Sequence, residues 1–176
     1  MKRRYWLFGS LILLCAVSAN AQKVAVGFDR AADFSKFKTY SWTTGVPAKS
    51  PQIHQMIVTA IEQKLNANGW TRVNDGGDVL VSYHAAVVNT YDSETVARPG
   101  TWGANSGSVE QAWLVVKGSL IVEMKSGATQ GEVWRAAATD TLSNEPKDVS
   151  KDLDKASKKI KKVVDKMFKG FPPSKK

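Results

Sequence analysis

Two kinds of apolar periodicity share this chain. Together they predict an α+β domain: a mainly antiparallel β-sheet with two amphipathic helices packed on one face. Stretches such as "VLVSYHAAVV" and "LVVKGSLIVEM" alternate side chains two by two, as half-buried strands do. Two other segments, starting near Pro51 and Asp148, repeat apolar residues every three or four positions, as helices lying on a sheet do. Short Gly-containing connections such as "SGATQGE" then join strands as hairpins, which makes them antiparallel.

The elements follow in order. "KVAVGF" places Val24, Val26 and Phe28 on one side of a strand, and "TYSW" does the same with Tyr40 and Trp42. Ser50 and Pro51 mark a helix start, with Ser as N-cap and Pro at the first helical position. Ile53, Met56, Ile57, Ala60, Ile61 and Leu65 then recur at helical spacing, and Asn68-Gly69 stops the run. "WTRV" is a short strand. In "DVLVSYHAAVV", Val79, Val81, Tyr83 and Ala85 share one face, while Ser82 and His84 share the other. Residues 89–111 lack clear periodicity and contain "RPGTWGANSGS", so a long Gly/Ser-rich loop is expected there. Two further strands follow, "AWLVVKGSLIVEMK" and "VWRAAATDTL". Residues 148–169 read as one basic helix, ended by Gly170 and Pro172-Pro173. The expected core includes Trp42, Ile57, Ile61, Val81, Tyr83, Val122, Trp134, Leu153, Ile160 and Met167.

The first 21 residues read as a cleavable signal peptide. Lys2, Arg3 and Arg4 precede the apolar "YWLFGSLILLCAV", and "ANA" offers small residues for cleavage after Ala21. The apolar run falls short of the roughly 20 residues that span a bilayer. This points to a periplasmic product, residues 22–176, forming a single domain without a transmembrane segment. An alternative is an outer-membrane lipoprotein anchored through Cys15, but Leu14 stands where such signals place a small residue. The one cysteine excludes an intramolecular disulfide.

The net charge of +9 is unevenly spread. From Lys147 onward there are 11 Lys against 4 Asp, a net of +7, whereas residues 22–146 carry a net of −1. Mature basicity is therefore the outer side of one helix. Lys158, Lys159, Lys162 and Lys166 are candidates for contact with an anionic membrane surface. Nucleic acid is not the expected partner, because the tail has no Arg and its two Phe lie on or beside the apolar stripe.

Little of the sequence carries catalytic chemistry. His54 and His84 are the only histidines, and no dense carboxylate set flanks either of them. Ser82 and His84 form a low-ranking polar site: they share a strand face but lie about 7 Å apart at Cα, which suits no nucleophile–base pair. No catalytic residue, metal ligand or cofactor is expected, and the chain is read as a non-enzyme. Trp102, flanked by Tyr91 and Arg98, sits outside every periodic face and is the candidate anchor for a partner.

At "DFSKFKTYSW", "ANGWTRVNDGGDVLVSYH", "GEVWRAAA" and "VDKMFKGFPP" the chain resembles a bacterial envelope family known as domain of unknown function 4136. The resemblance covers nearly all of the mature chain. It implies an α+β domain outside the cytoplasm, often lipoprotein-like, and supplies no catalytic residues. The expected function is an exported module that binds another envelope component. A periplasmic small-molecule or lipid carrier is the alternative.

Overall fold

The computed structural model describes residues 23–98, 107–143 and 153–173. Six strands and two helices occur in the order β1 (Lys23–Phe28), β2 (Thr39–Trp42), α1 (Pro51–Ala67), β3 (Thr71–Arg72), β4 (Val79–Arg98), β5 (Gly107–Ser126), β6 (Glu132–Ser143) and α2 (Leu153–Met167). They form one sheet in the order β1-β6-β5-β4-β2-β3. The β1–β6, β6–β5 and β5–β4 pairs are antiparallel, while β2 runs parallel to both β4 and β3. Parallel neighbours need a crossover, and α1 supplies it between β2 and β3. This is the α+β class that the sequence predicts.

Local chemistry sets the element ends. The Ser50 hydroxyl accepts from the Ile53 amide at 3.4 Å, and Pro51 opens α1. Gly69, at φ +80°, ends it. Between β3 and β4 the chain crosses the backbone of β2. A Cβ on Gly77 would stand 2.6 Å from the Ser41 nitrogen and 2.7 Å from the Tyr40 carbonyl carbon, so only glycine fits.

Register places Tyr40, Val79, Val81, Tyr83, Val122, Met124, Trp134 and Ala136 on one side of the sheet. Ile57, Ile61 and Leu65 of α1 and Val164 and Met167 of α2 join them in a single apolar cluster. Each fully buried side chain of this size contributes roughly 1.5–3 kcal/mol of gross apolar transfer. The resemblance-bearing motifs meet here: Phe34 and Phe37, Trp70, Trp134, Phe168 and Phe171 come from four separate stretches. Their rings form one edge-to-face network, with Phe171 at 5.3 Å from Trp70, 5.4 Å from Trp134 and 5.2 Å from Phe168.

Three expectations change. Residues 89–111 are not a loop: β4 and β5 pair without a register break from Val79↔Ser126 to Arg98↔Gly107, so only 99–106 lie between the strands. Among the described side chains of the outer part, Ser93, Glu94 and Thr95 on β4 and Glu110, Gln111 and Ala112 on β5 are exposed on successive positions, so no alternation marks these stretches. Leu153 opens α2 at the rim and is 36 % exposed, while Trp42 and Ile160 are half-buried at the margin of the core. The basic helix is described from Leu153, and residues 148–152 lie outside the described residues. On β1, an edge strand, Val26 and Phe28 remain 46 % exposed.

Candidate functional site

Past the last rungs of β6 and β2, the β4–β5 pair continues alone. The final pairing of β5 with β6 is Val116↔Ser143, and on the other side of β4 the last bond is from the Ala85 amide to the Val46 carbonyl at 2.9 Å. From Thr90 to Arg98 and from Gly107 to Val115 the structure is a two-stranded ribbon, about 30 Å long at the usual strand rise. Among the described residues no strand covers either of its outer edges. At its base Val87, Val88 and Tyr91 are 65 %, 57 % and 74 % exposed. Asp92 pairs with Trp113 in the register, and Arg98 with Gly107 at the outermost described rung. Tyr91 and Arg98 thus share one strand of this ribbon, and Trp102 lies outside the described residues.

Ser82 and His84 do share the sheet face opposite the helices. Ser82 is buried and pairs with Glu123 across the register. His84 Nε2 stands 3.7 Å from Glu123 Oε2, longer than a hydrogen bond. The other Glu123 oxygen accepts from Arg135 Nη2 at 2.8 Å, and Arg135 also holds Glu132 at 2.8 Å. The bond to Glu132, and then the charge of Glu123, raise the Arg135 guanidinium pKa further. Glu123 is thereby paired with a cation. The alternation of β5 showed Glu123 on the polar face, but its contact with Arg135 depends on register, which the sequence does not display.

His54 lies on the other side of the sheet. Its Nδ1 is hydrogen-bonded to the Tyr83 hydroxyl, which also accepts from the Ala48 amide at 3.2 Å. Burial pushes the Tyr83 phenol pKa up. The two histidines therefore occupy opposite faces. Among the described residues no three His, Cys, Asp or Glu side chains gather as a metal site.

On α2, Lys158, Lys162 and Lys166 are exposed at every fourth position. Lys159 departs from the expectation: it is half-buried, and its Nζ donates to the Thr141 carbonyl at 3.1 Å, tying α2 to β6. Asp165 faces α1, within 2.6 Å of Lys64 Nζ and 3.0 Å of Lys161 Nζ. Those two lysines hold its carboxyl below the usual range. Between the helices runs an open groove of about 560 Å³. Met56, Ala60 and Ile160 contribute to its lining, a feature the sequence reading did not single out.

Fold and site together define an α+β domain: one sheet, a helix pair on one face and a ribbon extending past both. The chain belongs to the family described as domain of unknown function (DUF4136), whose model matches residues 24–173. No curated protein matches it in sequence. Among solved structures it is similar to a PDZ domain protein from Parabacteroides distasonis, at 15 % identity and a TM-score of 0.57. That match covers 88 % of this chain but only 36 % of the other, so this chain spans about a third of its length. Fainter likenesses are to the PelC dodecamer from Paraburkholderia phytofirmans (TM-score 0.46, 14 % identity, 82 % of this chain and 96 % of that one). Another is to a minor lipoprotein from Acinetobacter baumannii (TM-score 0.37, 14 % identity, 76 % and 91 %). At such identities the likeness concerns the fold alone. No helix among the described residues is long and apolar enough to cross a membrane.

Proposed function

We propose that this chain is an exported, non-catalytic envelope module that binds a protein partner through the β4–β5 ribbon. The carrying observation is the pair of edges that no strand among the described residues covers, beside exposed Val87, Val88 and Tyr91. An isolated two-stranded hairpin is marginally stable in water. Its open edges are also templates for another strand. A partner strand laid along β4 would satisfy its backbone groups and cover the apolar side chains, as in β-augmentation. Tyr91 is the anchor, with Arg98 and Trp102 further along. Export rests on the leader: a basic start, an apolar run and "ANA", with cleavage after Ala21 and a periplasmic product.

A photoreactive side chain installed at position 91 tests this in cells. Irradiation is expected to give a discrete cross-linked species in the envelope fraction. The same group at Asn74, exposed in the turn between β3 and β4, is expected not to give it. Equal cross-linking from both positions, or none from 91, refutes the ribbon as the contact.

A further inference from the structure

We propose that the outward side of α2 is a docking surface for an anionic phospholipid bilayer, with Lys158, Lys162, Lys166 and Lys169 set against headgroup phosphates. The helix Leu153–Met167 carries six Lys and two Asp. Its one acid in the second half, Asp165, is spent inward on Lys64 and Lys161. That leaves Lys158, Lys162 and Lys166 at i, i+4 and i+8, with Lys169 just beyond the helix end. All four are exposed, and none has a carboxylate partner among the described residues. The three helical lysines span about 12 Å at 1.5 Å per residue.

Like charges four apart weaken a helix, so this stripe opposes the stability of the element that carries it. A merely solvated face would be served as well by mixed charges. Lysines without arginine act as mobile point charges, which suit a field of phosphates better than a fixed bidentate target. The groove between α1 and α2 adjoins the stripe through Lys161, and Met56, Ala60 and Ile160 contribute apolar surface to its lining beside Gln52, Gln55 and Gln63. A bilayer surface offers phosphate charge and apolar surface side by side along its whole extent, which favours it over an acidic protein or a polysaccharide.

The test is sedimentation of the purified full chain with vesicles. Binding is expected to phosphatidylglycerol-containing vesicles, to be absent from phosphatidylcholine vesicles, and to weaken as salt is raised. Each lysine at an anionic surface is worth about a fivefold change in partition, so K158Q/K162Q/K166Q should bind about a hundredfold more weakly. A matched triple, K36Q/K49Q/K125Q, removes the same charge elsewhere and should bind much as the parent does. Circular dichroism of both triples is expected to be unchanged, because the replaced side chains are solvent-facing. Equal binding to both vesicle types overturns the proposal, as does equal loss in the two triples. Binding to an anionic polysaccharide or to inorganic phosphate without binding to vesicles overturns it too.

Discussion

Asp78 shows how a single side chain joins two strands. Its Oδ2 accepts from the Lys38 amide, the Thr39 amide and the Thr39 hydroxyl, each at 2.9 Å. The Lys38 amide, then Thr39, hold its carboxyl below the usual range. With its folded pKa below the unfolded one, the stabilisation is complete above the unfolded value and is lost as pH falls through the folded value. The melting temperature should therefore drop on acidification below the ordinary carboxylate range. Asp78→Asn should flatten that part of the profile, and a pH series of thermal melts reads both. Asp78→Ala should cost about 2 kcal/mol at neutral pH, since hydrogen bonds to a charged group are lost. Gly77→Ala should cost about 2 kcal/mol, because its Cβ meets backbone that cannot give. Denaturant unfolding measures both substitutions. None of this was legible in the sequence, because partners some 40 positions apart meet only through β2–β4 pairing.

Elements differ in how plainly the chain announces them. Strands with one buried face, such as Val79–Ala85 and Leu120–Met124, alternate because water and core sort their side chains. The ribbon carries Ser93, Glu94 and Thr95 exposed on successive positions, so no alternation marks that stretch, and the glycine-rich sequence after it reads as loop. The α2 stripe was legible from Ile160 to Met167, because one side of that helix faces the core and the other is wet, whereas Leu153 lies at the rim. Which lysine would turn back to β6 was not, since Lys159 is chosen by the packing angle. The family-like motifs, by contrast, are explained by packing. Phe171 closes the ring network against Phe34, Trp70 and Trp134. Phe171→Ala should cost about 3 kcal/mol and loosen the C-terminal end of α2, seen as lost near-ultraviolet dichroism with most helix signal kept. Such motifs mark how the fold is clasped, and this is why they identify the family without naming an activity.

At the scale of the whole molecule, charge and shape separate into three regions. The sheet and α1 form a body that is nearly neutral, with a net of −1 over residues 22–146. The basic α2 faces outward on one side. The ribbon extends beyond the rungs that β6 and β2 cover. Among the described side chains, none of the ribbon's joins the apolar cluster. Replacing residues 91–114 by an Asn-Gly turn, which suits a two-residue hairpin, separates folding from binding. The most direct measurement is capture of envelope neighbours by this shortened chain and by the full chain, alongside a thermal melt of each. The account predicts similar cooperative melts, with the partner captured by the full chain alone. A shortened chain that melts normally and still captures the same partner would contradict it.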